Sequence, residues 1–247
     1  MIFQIDHIAL SSCDFAPMDE ALARLGYRNR FRETDKPNPS IKRGLMRQFP
    51  ETHDLSYYSK EGSIGIELLN HHNSFKNSPF IIPVIENIPD GFAEHTADEG
   101  SMRKMFSAEF NAPVLSMKNS AVPGVNLNKL AVKSGKPAES VKFWECLGFR
   151  RAGETEDFSI LEFNSPLGRN SCKMYLKTGE TAGEHFLDDD GFNCMAFMSN
   201  SSAKEKSLLA GKNFRTTEIE QLMVNGKILN IFFAVGPCGE LVEIVSL

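Results

Sequence analysis

The sequence has few of the features that mark secreted or membrane-bound proteins. It contains 5 cysteines in 247 residues and no Cys-x-x-Cys pair, so it predicts neither a disulfide framework nor a structural zinc knuckle. No stretch approaches the roughly 18 apolar residues of a membrane span, and the first residues lack the basic and apolar segments of a secretory signal. We therefore expect a cytoplasmic protein with reduced thiols and no membrane partner.

An excess of basic charge is also absent. Lys and Arg number 27 against 32 for Asp and Glu, and the basic clusters at residues 28–32 and 42–47 are interrupted by apolar or polar residues. Such clusters indicate solvated faces, so a nucleic-acid partner is not expected. The hydrophobic content of 41% is typical of globular proteins, and the length allows one large domain or two closely packed ones.

Three short segments repeat one pattern along the chain. Residues 5–10 (IDHIAL), 127–132 (LNKLAV) and 192–197 (FNCMAF) share the order apolar, Asn or Asp, variable, apolar, Ala, apolar. This order is typical of a short, largely buried strand. Each segment is followed by a polar stretch, a helix-like segment and two or three strand-like segments, which predicts an α+β protein built from repeated modules.

The predicted helices end in similar ways. A Gly or Asn stands where a helix end needs a left-handed residue, and an aromatic residue follows, as in Gly26-Tyr27, Gly148-Phe149 and Asn213-Phe214. In all three segments the aromatic residue follows the third residue of the strand pattern by the same 20 positions. The constant spacing supports a true internal repeat.

Two segments resemble a known superfamily. Residues 143–149 are similar to an aromatic-rich helix that ends in Leu-Gly-Phe. Residues 236–244 are similar to a closing turn and strand with the pattern Asp-Pro-x-Gly-x-x-(Ile/Val)-Glu-(Leu/Ile), with Gly236 in place of Asp. Both segments resemble the vicinal oxygen chelate superfamily of glyoxalases, epimerases, extradiol dioxygenases and bleomycin-resistance proteins.

The resemblance implies βαβββ modules that form cupped mixed sheets with the helices outside. Three modules are clear, at residues 2–70, 126–178 and 190–247. A fourth, degenerate module at about residues 80 to 122 is similar to the module junction of methylmalonyl-CoA epimerase-like members. We expect an N-terminal half at residues 1–122 and a C-terminal domain at residues 123–247, in a monomer or a homodimer.

The resemblance also implies a metal site, because the first and last strands of the superfamily's modules present ligands to one divalent ion. The matching first-strand positions are His7, His95, Lys129 and Cys194, and the last-strand positions are Glu67, Tyr175 and Glu243. The candidate ligands are therefore His7, Glu67, His95 and Glu243. Imidazoles and carboxylates suit iron, manganese, zinc, nickel or cobalt alike.

The choice of ligands depends on which modules pair. If the first module pairs with the second, the set is His7, Glu67 and His95; if it pairs with the fourth, Glu243 replaces His95 and Cys194 lies nearby. A buried, hydrogen-bonded His7 and salt bridges at the glutamates are the alternative without metal. His53 and His185, in polar, acidic segments, and the loop-like pair His71-His72 are expected at the surface.

The function implied is a metal-dependent enzyme acting on a small substrate with vicinal oxygens. Lyase, isomerase or epimerase chemistry is favoured over extradiol dioxygenation, because Lys129 and Cys194 stand where such dioxygenases have histidines. No residue is assigned as the general base. The alternatives are a metal-free small-molecule-binding protein of the bleomycin-resistance type and a non-catalytic scaffold.

Overall fold

The structure is a computed structural model that describes residues 1–77, 79–85, 94–99, 102–107, 112–117, 126–168, 170–178 and 184–247. For residues 94–99, 102–106, 112–113 and 117 it describes the backbone alone. The first module consists of β1 (Ile2–Ser11), α1 (Phe15–Arg24), β2 (Arg28–Pro37), a 3₁₀ helix (Ser40–Leu45), β3 (Thr52–Ser59) and β4 (Gly65–Asn70). The second consists of β5 (Ile81–Ile85), β6 (Glu94–Glu99), β7 (Met102–Ser107) and β8 (Ala112–Met117).

The other two modules follow the predicted order closely. The third consists of β9 (Lys129–Ser134), α2 (Pro137–Cys146), β10 (Arg150–Glu154), β11 (Phe158–Asn164) and β12 (Ser171–Thr178). The fourth consists of β13 (Gly191–Ser199), α3 (Ser202–Gly211), β14 (Arg215–Thr216), β15 (Glu220–Val224), β16 (Lys227–Val235) and β17 (Leu241–Ser246). The predicted α+β fold of repeated βαβββ modules is confirmed.

The strands form two mixed sheets, and each sheet joins two modules. The first sheet has the order β14-β16-β17-β13-β1-β4-β3-β2, with β15 paired to β16, and so combines the first and fourth modules. The second has the order β10-β11-β12-β9-β5-β8-β7-β6 and combines the second and third. Each sheet thus takes strands from both sides of residue 122, where the sequence predicts a boundary.

The predicted helix ends are present. Gly26, Gly148 and Asn213 have φ values of 84°, 94° and 63°, which is the left-handed conformation that ends a helix. Tyr27 and Phe149 then return to the core, where 4% and 2% of their surface is exposed. None of the helices in the described part of the chain is long and apolar enough to span a bilayer.

Aromatic side chains join the third module to the first sheet. Trp144 of α2 contacts Phe149 edge-on at a centroid distance of 5.5 Å. Phe149 packs on Phe163 of β11 at 5.6 Å, and both contact Phe197 of β13, at 6.3 and 6.1 Å. These contacts make one continuous core beneath β13, a central strand of the first sheet.

Candidate metal centre

The register of four strands places the repeated positions on one face of the first sheet. The antiparallel pair β1–β13 sets His7 opposite Ala196, and Ala9 opposite Cys194. In the parallel pairs, Ala9 lies beside Glu67 of β4, and Ala196 lies beside Glu243 of β17. Because paired residues share a face and alternate residues along a strand do too, all six side chains belong to the same face.

This arrangement has a local two-fold symmetry that the sequence repeat predicts. His7 corresponds to Cys194, and Glu67 corresponds to Glu243. Ala9 and Ala196 are the residues directly beside the two glutamates. Their small side chains leave room above the strands, which explains why the repeated pattern has Ala at that position.

His7, Glu67 and Glu243 converge to form a compact group. His7 Nε2 lies 3.4 Å from a carboxylate oxygen of Glu67 and 3.7 Å from one of Glu243. One ligand atom from each residue lies within 4.8 Å of the other two. His7 is 6% exposed, and the glutamate side chains are 16% and 14% exposed. Of the two ligand sets that the sequence leaves open, the structure brings together the one from the first and fourth modules.

The orientation of His7 fits a metal ligand. Its Nδ1 forms a 2.9 Å hydrogen bond with the Asp6 carboxylate, and its ring contacts Tyr57 edge-on. Its Nε2 is buried, points at the two glutamates and makes no hydrogen bond to a described residue. A histidine bound to metal through one nitrogen usually gives the other to a carboxylate in this way. The orphaned nitrogen and two facing carboxylates therefore fit a divalent metal.

The electrostatics of the group favour a cation. Burial is the largest single effect on His7 and lowers its pKa, but the Glu67, Asp6 and Glu243 carboxylates together outweigh burial and raise that pKa well above its usual value. Burial is also the largest single effect on Glu67 and raises its pKa, but the charge and hydrogen bond of His7, together with the charge of Lys42, hold that pKa below its usual value. Without a metal, a proton on His7 balances part of the negative charge. A bound metal would take over that role.

Cys194 lies outside this group although its backbone position corresponds to that of His7. Its thiol is buried, and burial together with the Glu243 carboxylate raises its pKa well above the usual value. Its Sγ lies 4.0 Å from the carbonyl oxygen of Met195. Cys194 is thus a neutral, buried thiol beside the candidate centre.

The corresponding positions of the second sheet are arranged differently. Tyr175 occupies the last-strand position beside Ala131 and packs within an apolar cluster that includes Phe158 and Leu115. Lys129 lies at the first-strand position on β9. The backbone of His95 lies in β6, the outermost strand of this sheet, and its side chain is outside the described residues.

A cavity of about 620 Å³ opens over the candidate centre. His7, Glu67 and Glu243 form part of its lining, and the β15–β16 hairpin forms one edge. The remaining lining divides into an apolar part and a polar part. The apolar part includes Phe31, Leu55, Tyr57, Leu222, Leu229 and Ile231; the polar part includes Lys42, His53, Gln221 and Asn225.

Sequence reasoning misplaced several buried residues, two of which line this cavity. His53, His71 and His185 are 4%, 2% and 8% exposed, so the expected surface positions are wrong. Lys42, expected on a solvated face, is 7% exposed and lines the cavity. The alternation of His53, Leu55 and Tyr57 along β3 could have revealed His53, since all three residues line the cavity.

Comparisons with known proteins show the fold. No family model matches the sequence, and no curated protein matches it. The structure of glyoxalase I from Zea mays is similar over 98% of this chain and 92% of that chain, with a TM-score of 0.68 and 14% identity. A candidate dioxygenase from Bacillus subtilis is similar over 99% and 85%, with a TM-score of 0.68 and 12% identity. The predicted resemblance to the vicinal oxygen chelate superfamily is confirmed in the fold.

Proposed function

We propose that this protein is a divalent-metal-dependent enzyme acting on a small molecule with two neighbouring oxygen atoms. The observation that carries the proposal is the convergence of His7, Glu67 and Glu243 at a cavity. A fold similar to glyoxalase I and a candidate dioxygenase makes a metal-dependent enzyme plausible. One imidazole and two carboxylates suit iron, manganese, zinc, nickel or cobalt.

The residues at the cavity have three roles in this proposal. His7, Glu67 and Glu243 would hold the metal, which when bound would supply Lewis-acid stabilisation of negative charge on the substrate oxygens. Asp6 fixes the ring of His7 through its 2.9 Å hydrogen bond. The apolar wall formed by residues such as Phe31 and Tyr57 would exclude water and so strengthen electrostatic interactions.

Lyase, isomerase or epimerase chemistry is the better match within this class. The extradiol dioxygenases of the superfamily use two histidines and one glutamate, whereas this group has one histidine and two glutamates. The buried thiol of Cys194 lies at the position that corresponds to the missing histidine. Two carboxylates balance the charge of a divalent ion, which suits chemistry without a change of metal oxidation state.

Binding of acetohydroxamate, a small chelator with two adjacent oxygens, tests the proposal. We expect calorimetry to detect binding to manganese-loaded protein and no binding to the metal-free protein. His7→Ala should abolish it in the presence of manganese. His72→Ala is the matched control, because His72 lies in a separate, largely exposed group with Asp35 and Asp54.

The two classes of function give opposite results. Equal binding with and without manganese would contradict a metal-dependent enzyme and support a metal-free binding protein. Loss of binding in the His72 variant would instead assign the metal to the exposed group. The same calorimetric titrations distinguish both outcomes.

A further inference from the structure

The cavity contains a buried lysine for which the described residues provide no hydrogen-bonding partner. Lys42, in the 3₁₀ helix, is 7% exposed and lines the cavity that holds the candidate metal centre. Its side chain makes no hydrogen bond or ion pair within the described part of the chain. Because a mostly buried ammonium group without a counter-charge attracts negative charge, its position at the cavity favours an anion.

Two buried histidines lie next to this lysine. His53 lines the cavity at 4% exposure, and its Nδ1 has no hydrogen-bond partner among the described residues. Burial and the charge of Lys42 lower the pKa of His53 to about 3, so the ring is neutral and offers one N–H donor. His71 packs on His53 at a centroid distance of 5.8 Å, with both ring nitrogens unpartnered.

The carboxylates that line the cavity interact with groups other than Lys42. Asp6 holds His7, and Glu220 accepts hydrogen bonds from the backbone N–H groups of Ser40 and Ile41, at 3.3 and 3.1 Å. The charge of Lys42 helps to lower the pKa of the Glu67 carboxylate, but the two side chains are not within ion-pair distance of each other. A metal bound by Glu67 and Glu243 would neutralise their charges. Lys42 would then have no counter-charge in the described cavity wall.

We infer that Lys42 and His53 form a subsite for a carboxylate group of the substrate. The two neighbouring oxygens of the substrate, at its other end, would lie at the metal centre, and this second point rests on the proposed function. A single ammonium group balances one negative charge, and one ammonium plus one imidazole N–H match the two oxygens of a carboxylate.

The spacing of the two sites indicates the shape of the substrate. Tyr57 of β3 lies directly beside Glu67, and His53 lies four positions earlier, which is roughly 13 Å along an extended strand. Lys42 and Glu67 are nevertheless close enough for the charge of the lysine to help lower the pKa of the glutamate. Between the two sites, Leu55 and Phe31 line the wall. The substrate class is therefore an elongated carboxylic acid with an apolar middle and two adjacent oxygens at the far end.

Two probes of nearly the same size, one with a charged carboxylate and one with a neutral amide, test this subsite. We would measure, without oxygen, the binding of 3-(3,4-dihydroxyphenyl)propanoate and of its primary amide to manganese-loaded protein. The wild type is expected to bind the carboxylate roughly tenfold or more tightly than the amide, as expected for one charge-assisted hydrogen bond. Lys42→Met should abolish this preference, and Lys42→Arg should retain much of it.

Controls separate the subsite from the metal centre. Lys136→Met, which removes an exposed lysine outside this cavity, should keep the wild-type preference. 3-Phenylpropanoate and 3-phenylpropanamide lack both ring oxygens. The difference between their affinities for metal-free protein tests the anion subsite by itself. Equal affinities within both pairs in the wild type, or a preference that survives Lys42→Met, would overturn the inference. Carboxylate preference without any dependence on manganese would sustain the subsite and contradict the proposed enzyme.

Discussion

Glu67→Gln is expected to weaken divalent-metal binding by more than about a hundredfold, because loss of even an outer partner of a metal ligand costs 10–100-fold. The substitution keeps the size of the side chain but removes one of the two carboxylate charges that face Nε2 of His7. Thermal unfolding at a metal concentration of 100 times the wild-type Kd measures the effect. The wild type should gain about 2.7 kcal/mol of stability from the metal, and the variant about 0.4 kcal/mol or less.

The same experiment separates a metal ligand from a structural ion pair. If Glu67 only neutralises a protonated His7, then Glu67→Gln lowers the stability of the metal-free protein while neither form responds to metal. Glu218→Gln, which changes a side chain that is 88% exposed, is the control and should respond to metal as the wild type does. A wild type that metal does not stabilise would contradict the proposed role.

Trp144→Ala is expected to lower the free energy of unfolding by about 3–5 kcal/mol, the usual cost of removing a large buried aromatic side chain. Trp144 is fully buried and contacts Phe143 and Phe149 at centroid distances of 5.4 and 5.5 Å. Its removal would leave a cavity where the third module meets the first sheet. Urea unfolding followed by circular dichroism gives the change directly.

Two further variants test the physical reason for that loss. The Trp144 Nε1 has no hydrogen-bond partner within the described residues, so Trp144→Phe should cost much less than Trp144→Ala. Leu167→Ala, at a site that is 55% exposed, should change stability by no more than about 0.5 kcal/mol. A small effect of Trp144→Ala would mean that the aromatic contacts do not hold the module in place.

The module architecture could be predicted from the sequence because local patterns determine it. The repeated strand pattern, the helix ends at Gly26 and Gly148 and the closing segment at residues 236–244 all appear in the structure as expected. Each of these features depends on residues close together in the chain. The equivalence of Glu67, Tyr175 and Glu243 is likewise matched by the strand registers.

The pairing of the modules could not be predicted in the same way. Whether His7 meets Glu243 or His95 depends on contacts between strands that are distant in sequence, and each pairing leaves the local patterns unchanged. The structure pairs β1 with β13, so Glu243 joins His7 and Glu67. Lys42 was misplaced for a related reason, since its 3₁₀ helix contacts β16, a strand that is distant in sequence.

The metal content of protein purified without a chelator or an affinity tag tests the central claim most directly. Elemental mass spectrometry on the wild type, His7→Ala and Glu243→Ala should find near-stoichiometric divalent metal in the wild type and its loss in both variants. That result would establish a centre shared by the first and fourth modules. A metal-free wild type, with all three proteins folded and unable to take up added metal, would contradict the claim.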